Sequence, residues 1–318
     1  MSAEPLVVVQ AAAIKAGDGP EWLVDGIWSK EGVGILGGLP KSFKSWLSLD
    51  LAVSVASGTP ALGAYAVPQA GPVLLFAAED PATTVRSRLD GLAASRGLDL
   101  AKIPIQVILD SSLRLDTVPD QVRLSAAVSR HRPVLLLLDP FVRLHRIDEN
   151  SALEVSGILA YLRDLQRKHH VAILVVHHAR KAGAGSGQVG LSLRGSGDFH
   201  AWGDDNLYMR RRHGALELTI EHRSAPSPDP VSLAMRCDDG QPPRLVVTTP
   251  TPASSDLAAL KARVVEALSA IAQPVTQEAL RAQLGVRLQR LVEALRELET
   301  ECLLFRSAAG WRLRAAAA

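Results

Sequence analysis

Residues 34–46, with the sequence GILGGLPKSFKSW, join an apolar run to a turn containing Gly and Pro and then to a Lys-Ser pair. Residues 33–36 predict a buried strand, and residues 45–56 predict a helix. A strand, a glycine-rich loop and a helix N-terminus together direct backbone N–H groups at one point, which suits an anionic phosphate. The stretch therefore predicts an α/β fold arranged around a phosphate-binding loop.

The loop residues predict ATP and Mg²⁺ as ligands. Lys44 is expected to reach the β- and γ-phosphates, and the Ser45 hydroxyl is expected to ligate Mg²⁺. In the pattern G-x-x-x-x-G-K-[ST], Phe43 stands where the second glycine belongs. The alternative interpretation is a glycine-rich turn with a solvated lysine. The nucleotide-binding candidates are Gly38, Leu39, Pro40, Lys41, Ser42, Phe43, Lys44, Ser45 and Trp46.

Length and composition limit the class of protein. A chain of 318 residues is long enough for one α/β domain of about 250 residues and a small second module. A net charge of +2 indicates no strong electrostatic footprint for duplex DNA. Two cysteines cannot build a disulfide framework, and no apolar run approaches the length of a membrane span. We expect a cytoplasmic protein that does not enter a membrane.

Apolar runs alternate with helical patterns along most of the chain, which predicts a parallel sheet with ligands at the carboxyl ends of its strands. Residues 182–197 are rich in Gly and Ser and predict a mobile loop. Later strands are predicted at 207–211, 216–221, 232–236 and 244–248. The earlier strands are predicted at 33–36, 72–78, 104–109, 134–138 and 171–176, and the helices at 45–56, 82–96, 119–131 and 151–169.

Composition also suggests the domain limits. Residues 1–21 are poorly patterned, and residues 22–249 are expected to form the nucleotide-binding domain, beginning with a short hairpin or a lead-in segment at 22–28. Residues 250–255 are a Pro/Ser linker. In residues 256–318, helical patterns at 256–272, 276–284 and 287–300 precede two short strands. That order predicts a winged helix-turn-helix module.

Polar residues at predicted strand ends are the candidates for chemistry. Asp139 follows five aliphatic residues and fits a magnesium-ligand role. Glu79 is the preferred general base, with Asp80 as the alternative. Asp80 also precedes Pro81, where it could cap the next helix. His177 and His178 end another strand, where a polar group could sense the γ-phosphate.

Four motifs in order resemble the RepA-like branch of RecA-fold P-loop ATPases, which are similar to hexameric plasmid replicative helicases. The motifs are Gly-x-Pro-Lys-x-x-Lys-Ser-Trp, Ala-Glu-Asp-Pro, Leu-Asp-Pro and His-His-Ala-x-Lys, within residues 20–225. The resemblance implies that Lys44 and Ser45 bind ATP and Mg²⁺ and that Glu79 is the catalytic carboxylate. It also implies that Asp139 is the Walker B acid and that His178 is the sensor of the γ-phosphate. It also implies a homo-oligomer, with a hexamer favoured.

No arginine of this chain matches the arginine finger of that family cleanly. Residues 201–205, where it is expected, read Ala-Trp-Gly-Asp-Asp. The remaining candidates are Arg180, Lys181, Arg194 and Arg210.

Two hypotheses about function follow. The first is an ATP-driven helicase or translocase on single-stranded DNA, with basic residues in loops that follow two predicted strands. These residues are Arg143, Arg146, Arg180 and Lys181. The second is a regulatory or assembly ATPase that does not unwind DNA. Arg287 and Arg290, on the predicted recognition helix, could serve DNA binding, although acidic residues on the same helix also suit a protein partner.

Overall fold

The computed structural model of the protein describes residues 8–13, 19–178, 198–212, 215–237, 242–248, 253–269, 271, 273–300, 303–307 and 309–313. The predicted loop at 182–197, which contains Arg194, lies outside the described residues. The preceding Arg180 and Lys181 lie outside them as well. The chain divides into two compact units. The first comprises residues 1–211 and 216–247, and the second comprises residues 212–215 and 248–318.

A nine-stranded sheet forms the centre of the first unit. Its strands are β3 (Val33–Gly38), β4 (Val73–Ala77), β5 (Ile105–Ile108), β6 (Leu135–Asp139), β7 (Ala172–His178), β8 (Asp205–Arg212), β9 (Ala215–His222), β10 (Val231–Arg236) and β11 (Arg244–Val247). Before it, β1 (Trp22–Val24) and β2 (Trp28–Ser29) form a short antiparallel hairpin, which is one of the two structures that the sequence left open for this segment.

The strands follow the order β11-β10-β9-β8-β3-β7-β6-β4-β5. Pairing is parallel from β8 through β3, β7, β6 and β4 to β5. The pairs β9–β10 and β10–β11 are antiparallel. The predicted α/β class with a mainly parallel central sheet is therefore confirmed.

Helices cover both faces of the sheet, because alternate strand residues point to opposite sides. One apolar cluster joins α1 and α2 to residues such as Leu36 and Leu137, and the other joins α3, α4 and α5 to residues such as Ile35 and Leu136. These helices are α1 (Lys44–Ser57), α2 (Ala82–Ala94), α3 (Val118–His131), α4 (Ala152–His169) and α5 (Asp198–Trp202). Short 3-10 helices occupy Ala11–Ala13, Leu100–Lys102 and Phe141–Arg143.

The end of β7 agrees with the predicted placement of the two histidines. The apolar run covers residues 171–176, and His177 and His178 complete the strand. The ladder with β3 extends to this end, with His177 beside Gly37 and His178 beside Gly38. The sequence did not predict α5, since five residues with Phe199 as their buried member are too short to show a helical period.

The second unit has three helices followed by a two-stranded antiparallel hairpin. A separate apolar cluster fills it, with Leu291, Leu295 and Trp311 among its buried members. Its identification as a winged helix remains a prediction. Its elements are α6 (Ala253–Ser269), α7 (Gln277–Leu284), α8 (Leu288–Thr300), β12 (Leu304–Ser307) and β13 (Gly310–Leu313). Across the described parts of both units, every helix is too short or too polar to cross a membrane.

Candidate nucleotide site

The carboxyl ends of four adjacent parallel strands bring the predicted motifs together. Gly38 at the end of β3 lies beside His178 at the end of β7. On the next strands, Asp139 ends β6 beside Ala77 of β4, and Glu79 follows Ala77 by two residues. Ligands of parallel sheets bind at this edge. The fold thus gathers residues from four distant stretches at one place.

The ammonium group of Lys44 is folded back into the phosphate loop. Its Nζ donates hydrogen bonds to the backbone carbonyl oxygens of Gly38 and Leu39, each at 3.0 Å. Burial lowers the pKa of Lys44 to about 8, although the negative charges of Asp139 and Glu79 act to raise that pKa. A buried cation held by two neutral carbonyls is poorly compensated, so an anionic phosphate would be a better partner for it.

Two residues of the loop adopt a backbone conformation that favours glycine, and one of them is Phe43, at the position of the replaced glycine. Phe43 has φ 65° and Lys41 has φ 64°, both in the left-handed region that favours glycine. For a residue with a side chain, this conformation costs about 1–2 kcal/mol. The Phe43 ring is partly buried against the core, and the Arg211 guanidinium lies 5.1 Å from its centroid. We infer that this packing offsets the strain.

Helix α1 begins at Lys44 and presents its N-terminus to the loop. The first N–H groups of a helix have no carbonyl partner within the helix and carry a partial positive charge. The first turn is Lys-Ser-Trp-Leu and so contains no acidic side chain that would compete with an anion. The turn therefore fits a phosphate group both electrostatically and by its free donors.

Asp139 and the serines of α1 form the part of the site that fits a divalent cation. Asp139 is buried, and its Oδ2 accepts a hydrogen bond from Ser48 Oγ at 3.3 Å. Burial raises the pKa of Asp139 to about 6, while hydrogen bonding from Ser45 opposes the shift. Among the described residues, Asp139 Oδ1 has no hydrogen-bond partner. A buried, unpartnered carboxylate oxygen next to a serine hydroxyl is the donor set that Mg²⁺ prefers.

Glu79 and His178 face each other across the site. Their side chains approach to 3.7 Å between His178 Nε2 and Glu79 Oε2. Burial, and then the charge of Lys44, lowers the pKa of His178, so its ring is neutral near pH 7. Glu79 is exposed to solvent, where a water molecule can reach its carboxylate. A carboxylate in this position can accept a proton from that water.

A sequence model of the AAA domain family matches residues 3–184, more than half of the chain. The chain belongs to the AAA domain family. The matched range contains Lys44, Ser45, Glu79, Asp139 and His178. The four strand ends described above are thus all part of the AAA domain.

The fold of this AAA domain protein is also similar to that of a solved DnaB-like replicative helicase, whose structure was described together with its interactions with primase. The TM-score is 0.55 at 14% sequence identity. The match covers 73% of this chain and 64% of the helicase chain. This likeness concerns the fold and supports a RecA-like core.

One prediction for the AAA domain was wrong. Asp80 was expected to cap the following helix, but α2 has Pro81 at its N-cap and no side-chain capping bond. Asp80 instead accepts a hydrogen bond from Arg88 Nη1 at 2.5 Å. Arg88 lies about two turns into α2. Its charged guanidinium is a stronger donor to the carboxylate than the backbone N–H groups at the start of the helix.

The two histidines at the end of β7 have different surroundings. Successive strand residues point to opposite faces. His178 shares a face with Leu174 and Val176, on the side of α1 and the phosphate loop, whereas His177 packs between Phe141 and Phe199 on the other side. Only the position of His178 suits a γ-phosphate sensor.

The predicted basic residues of the first unit are distributed over several elements. Arg143 ends the 3-10 helix after β6, and Arg146 follows in the next loop; both are exposed. Arg210 on β8 pairs with Glu217, with 2.8 Å between Nη2 and Oε1, so it is engaged within its own subunit. In the second unit, Arg287 precedes α8 and Arg290 lies on it.

Sequence reasoning missed Ser48 and Arg88. Ser48 lies three residues after Ser45, a helical spacing that already places both hydroxyls on one side of α1. Arg88 carried no comparable signal. Its guanidinium lies 5.4 Å from the centroid of the Trp46 ring, a contact that only folding creates.

Proposed function

We propose that the protein is an ATP-hydrolysing motor, a helicase or translocase that acts on single-stranded DNA as a ring of identical subunits. The observation that carries the proposal is the meeting of Lys44, Asp139, Glu79 and His178 at the carboxyl edge of the sheet. Few other reactions require a phosphate loop, a metal acid, a general base and a neutral sensor in one place.

Each residue has a chemical role in this proposal. Lys44 and the N-terminus of α1 hold and neutralise the phosphates, and Glu79 orients a water and accepts its proton. His178, neutral and opposite Glu79, distinguishes the presence of the γ-phosphate from its absence. Ser45 and Asp139 would hold Mg²⁺, which offsets negative charge on the phosphates when bound.

Several observations support DNA as the partner and a ring as the assembly. Arg143 and Arg146 are exposed in the segment that directly follows Asp139. The resemblance to the RepA-like branch favours a hexamer, and the fold is similar to that of a DnaB-like replicative helicase. We further propose that residues 22–249 form the motor, that residues 250–255 link it to the rest, and that residues 256–318 form a winged helix for DNA or protein contacts.

A regulatory or assembly ATPase is the second candidate. Two observations favour it. The net charge is only +2, and Arg210 is paired within its own subunit. DNA-stimulated hydrolysis separates the two candidates, because a regulator of this kind would turn over ATP at the same rate with or without a single strand.

We expect Arg143→Gln/Arg146→Gln to reduce stimulation of ATP hydrolysis by a single-stranded oligonucleotide about tenfold, since each lost phosphate contact weakens binding. The measurement is the rate of phosphate release against oligonucleotide concentration at two salt concentrations. A matched control is Arg130→Gln/Arg167→Gln, which removes two exposed charges from the C-terminal turns of α3 and α4. Equal loss in both double variants would contradict a specific contact, and an unstimulated wild type would favour the regulator.

The base of the nucleotide has a candidate subsite beside α1. A cavity of about 430 Å³ is lined by Trp46, Ser87, Arg88, Gly91, Pro242 and Pro243. Trp46 follows the proposed magnesium ligand Ser45 directly in the chain. Indole and guanidinium faces stack on aromatic rings, which suits a purine base.

We expect Trp46→Ala to weaken ATP binding about tenfold and Trp46→Phe to retain most of it, because stacking contributes roughly 1–3 kcal/mol. Titration with a fluorescent ATP analogue measures both variants. The affinity for inorganic triphosphate is the control and should not change. If triphosphate binding fell in parallel, Trp46 would support the loop and not the base.

A further inference from the structure

The face of the sheet opposite the phosphate loop holds a buried polar cluster that the proposed chemistry does not use. His145 and His177 have side chains only 3% and 2% exposed. The ring of His145 packs on Phe141, with centroids 4.4 Å apart, and the ring of His177 packs on Phe199 at 4.3 Å. Two adjacent phenylalanines and the sheet exclude water from both imidazoles.

Glu149 lies between these two histidines. Its Oε1 is 3.5 Å from His145 Nε2, and its Oε2 is 3.6 Å from His177 Nε2. Each carboxylate oxygen thus faces one histidine ring, and the Glu149 side chain is 11% exposed. Burial alone would raise the pKa of Glu149, but the two histidines outweigh burial and hold its pKa below the ordinary value.

The position of His177 gives this cluster a direct connection to the candidate site. His177 is bonded through one peptide to His178, whose Nε2 lies 3.7 Å from Glu79. His177 and His178 are adjacent on β7, so a change in the backbone that carries His177 on one face would also alter the position of His178 on the other. Among the described residues, neither nitrogen of either ring has a hydrogen-bond partner, so the polar contact of both rings is the ion-pair contact with Glu149, at 3.5 Å and 3.6 Å.

We propose that Glu149 is a positioning residue for ATP hydrolysis: it bridges His145 and His177 and so fixes the end of β7, which holds His178 opposite Glu79. Glu149 does not contact the nucleotide in this role. It belongs to the segment after β6 that also carries the exposed Arg143 and Arg146, which gives that segment a physical connection to the hydrolytic carboxylate. The inference rests on the proposed ATPase function.

The test is a double-mutant cycle on ATP hydrolysis with the full chain. Glu149→Gln keeps the shape of the side chain and removes its charge. We expect kcat to fall about tenfold and KM for ATP to stay within about twofold, because positioning acts on the transition state and not on ATP binding. In the His178→Ala background, Glu149→Gln should lower kcat by less than about twofold, because its target is already absent.

Two controls separate positioning from general loss of structure. Glu149→Asp keeps the charge and should recover part of the lost kcat. Arg163→Met breaks another partly buried ion pair of the same unit, with Asp204, and should lower the melting temperature while leaving kcat unchanged. Circular dichroism checks that each variant is folded before its rate is interpreted.

The possible outcomes have distinct meanings. Unchanged kcat in Glu149→Gln, or the same tenfold loss in the wild-type and His178→Ala backgrounds, would overturn the role of Glu149 and leave the ATPase proposal standing. A parallel fall of kcat in Arg163→Met would reduce the effect to stability and also overturn it. A wild-type protein that binds ATP without hydrolysing it would refute the proposed function itself, and the positioning role with it.

Discussion

Lys44→Ala should abolish ATP hydrolysis, with kcat/KM reduced by at least about 100-fold. Lys44 is the cation that the loop itself encloses, held by the carbonyl oxygens of Gly38 and Leu39. Because burial depresses its pKa, the charged form gains more from a phosphate partner than an exposed lysine would. Removal of the ammonium group leaves the developing charge on the phosphates without this neutralisation.

The measurement is steady-state phosphate release, together with equilibrium binding of an ATP analogue. Lys30→Ala is the matched control, since Lys30 is an exposed lysine of the same unit that forms an ion pair with Glu21. It should hydrolyse ATP like the wild type. If Lys44→Ala also turned over ATP normally, the assignment of residues 38–46 as the phosphate loop would be wrong.

Glu79→Gln should keep ATP binding and lose turnover by about 100- to 10,000-fold, the range expected for removal of a general base. The amide has nearly the shape of the carboxylate but cannot accept a proton from water. Glu79 is exposed and close to His178, so the substitution leaves no buried charge unpaired. Single-turnover hydrolysis measures the chemical step, and filter binding of labelled ATP measures affinity.

Asp80→Asn is the control for the choice between the two neighbouring carboxylates. Asp80 pairs with Arg88, so its loss should affect the Trp46 side of the site and lower the rate by a smaller factor. A larger loss of turnover in Asp80→Asn than in Glu79→Gln would reverse the assignment of the base. Weakened binding of ATP with unchanged turnover of the bound nucleotide would make Glu79 a structural residue.

Local patterns were sufficient to predict the fold class and to select most residues of the candidate site. Continuous aliphatic runs such as residues 134–138 identified the buried strands, because a strand covered on both faces has no polar alternation. Motifs at the ends of those runs selected Lys44, Ser45, Glu79 and Asp139 as candidates. Parallel strands end at a common edge, so the strand assignments alone indicated that these residues would meet.

Other assignments depended on contacts between distant residues. Whether Phe43 could replace a glycine was decided by its left-handed backbone and its packing against the core, and neither is a property of the motif. The partner of Asp80 was decided by the rotation of α2, which brings Arg88 to it. Local capping preference pointed to the helix N-terminus, and the guanidinium was the stronger donor.

The sequence by itself determined that this chain forms a parallel α/β core with a phosphate loop, since strand hydrophobicity, helix periodicity and loop composition are local properties of the chain. Only the tertiary structure decided which of the two adjacent histidines faces the phosphate loop and which joins Glu149 and His145 on the other face. The physical reason is register. The ladder with β3 sets where β7 ends and which way each residue points, and that ladder depends on packing of the whole sheet.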